Sequence, residues 1–337
     1  EIDNEAYKKF LEGKYLFDIR DSSDSIEKAQ KMFKKALEID DEFAECHAML
    51  GMLYNLIGEL DDAEDELEEA LDIAEDEDNY DALSSIYNNM GIYYKEQKRF
   101  EKSIKFFKKG IKLQKTLPND AMKANLLHNM SGCYSMMGDY DKSFVYLEQS
   151  QTIYEKLDDN IRLGNSYGEM GSAYKSTHKN EKAIEYYEKA KQIFFSEGMN
   201  TSIAQVLIFQ SEIYLSANDY KKAKDNLDKA SRISEEFDIP MMEARIYLAY
   251  GQLYANQNKV DDALENLEEA LDIFMDINNK LRASGVLIMM GFLYIKKTKI
   301  RKAEKMYKRA EKLLSKTKGS FNKMSLNNLQ KEIDKNK

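Results

Sequence analysis

Residues 51–70 read GMLYNLIGELDDAEDELEEA, and residues 91–110 (GIYYKEQKRFEKSIKFFKKG) and 251–270 (GQLYANQNKVDDALENLEEA) repeat the same skeleton at multiples of 40. The fourth residue is always a tyrosine, and the column continues unbroken through Tyr54, Tyr94, Tyr134, Tyr174, Tyr214, Tyr254 and Tyr294. Three places earlier stands a small residue, Gly51, Gly91, Ser131, Gly171, Ser211, Gly251 or Gly291, usually after a bulky apolar one such as Leu50 or Met90. Nine places after the tyrosine a second small column begins: Ala63, Ser103, Ser143, Ala183, Ala223, Ala263 and Ala303. A large side chain follows four later (Leu67, Phe107, Leu147, Tyr187, Leu227, Leu267, Tyr307), and a small one three beyond that (Ala70, Gly110, Ser150, Ala190, Ala230, Ala270, Ala310). Offsets of three and four put side chains on one helix face, so each period encodes two helices. The small residues let helix backbones approach and the large ones fill the space opposite. Between the two helices, Gly58, Gly138, Asn218 and Asn258 mark an ending in the left-handed conformation, which glycine and asparagine tolerate best.

Composition agrees with helices throughout. The chain has 337 residues, 43% hydrophobic and 33% charged, with only two prolines, which leaves little room for strands and turns. Pro118 and Pro240 fall at period boundaries, where proline can start a helix. No apolar run approaches the roughly 20 residues needed to cross a bilayer, and no basic-then-apolar leader opens the sequence. Cys46 and Cys133 sit in helical patterns about two periods apart, which argues against a disulfide. A cytoplasmic, reducing location is therefore expected. The start at Glu1 without methionine points to a trimmed or partial chain. A net charge of −10 disfavours nucleic acid and anionic membrane as partners.

These columns resemble the tetratricopeptide repeat, whose usual period is about 34 residues and whose first-helix tryptophan is missing here. The longer period is similar to that of Pins-type polarity adaptors and of bacterial Rap quorum-sensing regulators. The resemblance implies an all-α solenoid, a right-handed superhelix of antiparallel helix pairs, and peptide binding in a concave groove lined by first helices. About eight repeats are expected in a single domain over 1–337. Residues 1–43 form a divergent first repeat (Gly13, Ala29, Phe33, Ala36) with an insertion around Asp21 to Asp24, and residues 44–319 hold seven regular repeats. A capping helix and tail span 320–337, with Phe321, Met324, Leu326, Leu329 and Ile333 covering the last repeat. The opening repeat looks similar to those that follow bacterial nucleotide-cyclase and signalling domains.

The sequence offers no catalytic, cofactor or metal site. His47, His128 and His178 lie in different repeats without ligand partners at metal spacing and read as ordinary polar helix positions. Gly164, Gly168 and Gly171 follow no strand and read as close helix packing rather than a phosphate loop. The same register picks out groove positions. Two before the small residue lie Asn89, Asn129, Glu169, Phe209, Ala249 and Met289; three before lie Asn88, His128, Gly168, Ile208, Leu248 and Ile288; six before lie Asn125, Asn165, Gln205 and Arg245. With Lys95 and Lys175 this makes a polar half rich in asparagine and an apolar half around Ile208, Phe209, Leu248 and Phe292. Asparagine carries a donor and an acceptor, so a row of them can pair with an extended peptide backbone; alternatively these are simply exposed polar residues. Charge is uneven too. Glu59 to Asp78 holds thirteen acidic and no basic residues, Lys95 to Lys115 nine basic and two acidic, and Lys296 to Lys318 eleven basic and two acidic. Such blocks steer a charged partner, guide self-association, or form a solvated outer face. The expected function is a non-enzymatic scaffold for a protein or peptide ligand, with a regulatory sensor segment of a larger bacterial signalling protein as the alternative.

Overall fold

The computed structural model describes residues 2–19, 23–116, 118–237, 239–315 and 320–336, and these carry seventeen α-helices and no strand. The expected insertion at Asp21 to Asp24 falls largely outside the described residues, as do Lys316, Lys318 and the Phe321 side chain. Two compact units divide the chain, Glu1–Ala173 and Tyr174–Lys337.

In unit 1 the helices are α1 (Asn4–Ile19), α2 (Ser23–Ile39), α3 (Ala44–Ile57), α4 (Leu60–Asp76), α5 (Tyr80–Glu96), α6 (Phe100–Leu113), α7 (Asp120–Met137) and α8 (Tyr140–Lys156), followed by α9 (Asn160–Ser176). Helices α1, α3, α5 and α7 each pack chiefly on the even helix that follows, as in α3 on α4 and α5 on α6. The contact is the small-on-large pairing of the columns. A Cβ on Gly51 would lie 2.8 Å from Leu67, and one on Gly91 only 2.3 Å from the ring of Phe107, which is fully buried. Ser103, buried in the second small column, donates to the Gly91 carbonyl at 2.6 Å and so needs no water. Asn79, Asn119 and Asp139 cap α5, α7 and α8 by accepting from backbone N–H groups three residues on.

The turns follow the expected geometry and extend it. Gly58, Gly138, Asn218 and Asn258 all have positive φ, and Lys98, His178 and Thr298 take the same place at φ 60°, 58° and 56°. His178 is thus a left-handed turn residue and not a helix residue. His47 is also specifically engaged: its Nδ1 lies 2.6 Å from Glu66 Oε2 and its Nε2 2.9 Å from the Asp41 carbonyl.

Burial opposes charge on His47, yet the hydrogen bonds to Glu66 and Asp41 prevail and raise its pKa. A histidine raised on folding stabilises fully below its unfolded value and loses that contribution as pH rises through its folded value. The melting temperature of the parent chain should therefore exceed that of His47→Gln by more at pH 5.5 than at pH 8.5; an equal gap at both pH values would show the pair to be uncoupled from folding.

The acidic and basic blocks of unit 1 partly face each other. Glu64 on α4 accepts from the Tyr94 hydroxyl at 2.6 Å and lies 3.3 Å from Lys102 and 3.5 Å from Arg99. Those contacts, the Tyr94 hydrogen bond foremost, hold its carboxyl below the usual range. Glu75 and Lys109 add a pair at 3.9 Å. Lys102 also sits 4.0 Å above the Tyr94 ring, and lysines eight residues after Tyr134, Tyr174, Tyr214 and Tyr294 cover those rings likewise.

In unit 2 the helices are α10 (Asn180–Ser196), α11 (Asn200–Ser216), α12 (Tyr220–Phe237), α13 (Pro240–Asn256), α14 (Val260–Asp276), α15 (Lys280–Lys296), α16 (Ile300–Leu314) and α17 (Ser320–Lys335). Pro240 opens α13 as expected. The last repeat departs from the columns. A Cβ on Gly291 would lie 2.6 Å from Leu329 of α17, so the capping helix supplies the large side chain there. Tyr307, expected in that role, is only half-buried and donates to Glu311 at 2.9 Å instead. Leu326, Leu329 and Ile333 are buried as expected of a cap, whereas Met324 is exposed.

Candidate functional site

In unit 1 the first helices α5, α7 and α9 bring Asn88, Asn125, His128, Asn129 and Asn165 around a cavity of about 250 Å³, which Tyr154 and Arg162 also line. Asn129 donates its amide to Asn88 Oδ1 at 2.9 Å, and the Tyr154 hydroxyl donates to Asn125 Oδ1 at 3.0 Å. The asparagines are thus half-buried and partly paired, Asn165 excepted, which is exposed. Each pairing uses one side of an amide and leaves the other for an incoming group. His128 Nε2 lies 3.3 Å from Glu169 Oε1, while its Nδ1 is buried without a hydrogen-bond partner among the described residues.

Glu169 keeps about half its side-chain surface, yet protein surrounds it on its other sides. Burial there works against ionisation, but the charge and hydrogen bond of His128 and the charge of Lys95 outweigh it and lower its pKa. Lys95, His128 and Glu169 therefore form one electrostatic cluster beside the asparagines. Asn89 is half-buried and does not line the cavity. Tyr154 was not legible as a site residue, because it sits at the end of second helix α8 and the register picked out first helices only.

Unit 2 places the remaining residues on α11, α13 and the end of α9. Phe209 stacks on Tyr187 with ring centroids 5.6 Å apart, and Lys175 and Arg245 lie 5.3 and 5.4 Å from its ring. Lys175 pairs with Glu212, and Arg245 donates to Gln205 Oε1. The expected apolar half is smaller than the register implied. Ile208 and Ile288 are buried in the core, at 1% and 5% exposure, and Leu248 is half-buried against the core around α14 and α15. First-helix positions three before the small residue thus turn partly inward, and Phe209, at the next position, is held by cations.

Both cysteines are free and buried, and burial pushes the Cys46 thiol up to about 12. Among the described residues no group of three or more His, Cys, Asp or Glu side chains could hold a metal ion, and no helix is long and apolar enough to cross a membrane.

The tetratricopeptide-repeat family matches residues 43–116 and 122–194, and the fourth ARM domain of tetratricopeptide repeat protein 21 matches residues 168–286. No curated protein matches the chain. The apo form of the quorum sensor NprR from B. thuringiensis has a similar fold, with a TM-score of 0.70 at 18% identity over 93% of this chain and 89% of that one. A Rap protein solved in complex with competence and sporulation factor gives a TM-score of 0.61 at 14% identity, covering 99% and 98%. A signal-transduction ATPase with numerous domains and a tetratricopeptide repeat sensor, from Pyrococcus horikoshii, gives 0.67 at 20% identity over 99% of this chain. The chain spans about half the length of that protein, 52%. The chain is a tetratricopeptide-repeat protein, an all-α solenoid whose fold resembles that of bacterial Rap-type signalling proteins.

Proposed function

We propose that the chain is a non-enzymatic scaffold that binds a peptide, or a peptide segment of a partner protein, along its first helices. The observation that carries this reading is the convergence of four side-chain amides, Asn88, Asn125, Asn129 and Asn165, on one cavity in unit 1. Amides that each offer a donor and an acceptor match the N–H and C=O groups of an extended main chain whatever its sequence. His128 lines this seat too, Lys95 and Glu169 cluster with it, and Asn89 lies outside the cavity, next to Asn88 on α5; in unit 2, Lys175, Gln205, Phe209 and Leu248 form a second contact surface. The Rap protein of similar fold, solved with competence and sporulation factor, supports the same reading.

Peptides captured by the chain from a degenerate pentapeptide library supply the probe. Asn88→Ala combined with Asn129→Ala should weaken the best of them about 5- to 150-fold, from two lost hydrogen bonds at about 0.5–1.5 kcal/mol each. Stability should change little, because removing both partners of one bond together strands neither. Undiminished affinity by isothermal titration would move the main-chain seat elsewhere.

A second reading draws on the Pyrococcus horikoshii protein with its repeat sensor: the chain is the sensor segment of a larger signalling protein and restrains a catalytic domain until ligand binds. The full reading frame decides it, since a frame that encodes no further domain removes this reading.

A further inference from the structure

One place in the repeat is filled in unit 1 and left open in unit 2. On α5, Tyr87 donates its hydroxyl to Glu75 of α4 at 3.2 Å, and Lys109 of α6 stands 5.0 Å over the Tyr87 ring and 3.9 Å from the Glu75 carboxylate. Ring, carboxylate and cation thus satisfy one another. Tyr167 and Glu155, two periods later, repeat the bond from hydroxyl to carboxylate at 3.0 Å. Five periods after the first group, the same three places carry Leu287 on α15, Met275 on α14 and Arg309 on α16. The ring and the carboxylate are gone, and the cation is kept. What remains is a cleft of about 370 Å³, lined by the apolar Met275, Leu287 and Leu313 and by the cations Lys280, Arg309 and Lys312. That volume falls within the range of small-molecule sites, roughly 300–1,000 Å³.

Charge says what kind of molecule the cleft suits. None of its three cations has an ion pair among the described residues. Glu311, which lies between Arg309 and Lys312 in sequence, accepts from the Tyr307 hydroxyl at 2.9 Å. A leucine in this column does not by itself leave a free cation. In the repeats of Leu127 and Leu207 the cation's place holds Gln149 and Lys229, and Lys229 pairs with Asp225 at 2.7 Å. Leu287 is buried at the floor of the cleft, while Arg309 and Lys312 are exposed at its rim. An apolar floor under a cationic rim complements a molecule with an apolar body and an anionic end, the two things that Tyr87 and Glu75 supply in unit 1. Arginine's planar fork suits a carboxylate in particular, which accepts two parallel N–H bonds.

We propose that this cleft of unit 2 binds a small organic anion, an aryl or alkyl body bearing one carboxylate. The body lies on Met275 and Leu287, and the carboxylate meets Arg309, Lys280 and Lys312. The site is separate from the asparagine cavity of unit 1 and does not depend on peptide binding there.

The test titrates the full chain by isothermal calorimetry with phenylpropionate and octanoate, each beside its neutral alcohol, phenylpropanol and octanol. The acids should bind more tightly than the alcohols, and the tighter acid assigns the body as aryl or alkyl. Arg309→Gln with Lys312→Gln should weaken the acids about two- to thirty-fold, the worth of two exposed ion pairs, and leave the alcohols unchanged. That loss should shrink as salt rises. Met275→Glu, at an exposed position, should weaken the acids with an unaltered helical spectrum. Adding Leu287→Tyr to it rebuilds the group seen at Tyr87 and Glu75 and should abolish binding. Equal affinity for acids and alcohols would overturn the proposal, as would acid binding that neither Met275→Glu nor the double glutamine change weakens. Failure of both acids to bind the parent chain would overturn it outright.

Discussion

Phe107→Ala should lower the unfolding free energy by about 3–5 kcal/mol, read as a fall in the denaturant midpoint of the helical signal. Phe107 is fully buried, and its ring occupies the space that Gly91 leaves open, 2.3 Å from where a Cβ would stand. Removing the ring opens a cavity between α5 and α6 that neither backbone can close, because the Ser103 bond to the Gly91 carbonyl already sets their spacing. The complementary change, Gly91→Ala, should cost about 1–3 kcal/mol by overpacking against the same ring. Combined with Phe107→Leu, the alanine should be better tolerated than alone, since the smaller side chain makes room for the new methyl. Strict additivity of the two changes would mean that the small and large columns do not touch as described.

The second large effect belongs to the last repeat. Leu329→Ala should cost about 2–5 kcal/mol, localised to α15, α16 and α17. Leu329 is fully buried and fills the space over Gly291 that Leu67 and Phe107 fill over Gly51 and Gly91. In a repeat array each unit leans mainly on its neighbours, so loss of the cap should open the terminal repeat before anything else. Hydrogen exchange should show lost protection across residues 280–335 with amides of α3 to α6 unchanged. Uniform loss along the whole chain would contradict that localisation.

Legibility differed between these two places for a physical reason. The Gly91 and Phe107 pairing joins helices adjacent in sequence, sixteen residues apart, and its small-large alternation recurs in every regular period. Leu329 lies outside the periodic register, so a filler for Gly291 could only be guessed as Tyr307, the residue the columns supply. The asparagines were equally visible as a class, yet their pairing was not. Asn88 and Asn129 are 41 residues apart and bond to each other, a relation set by how neighbouring first helices stagger. Charge blocks behave alike: Glu59 to Asp78 and Lys95 to Lys115 stand out in one dimension, but only the side-chain positions in three dimensions show Glu64 meeting Lys102 and Arg99.

What the amino-acid order determined alone is everything carried by local periodicity: two helices per 40 residues, which faces pack, where several of the left-handed turns fall, and a repeat fold. Those follow from short-range sterics and a 3.6-residue period, which any stretch of a dozen residues displays. The tertiary structure alone decided that Ile208 turns into the core while Phe209 is clasped by Lys175 and Arg245, that Tyr154 joins the asparagine cavity from a second helix, and that Arg245 donates to Gln205 one repeat away. These are contacts between residues a repeat or more apart, where burial and charge at one side chain depend on a neighbour that no local pattern encodes.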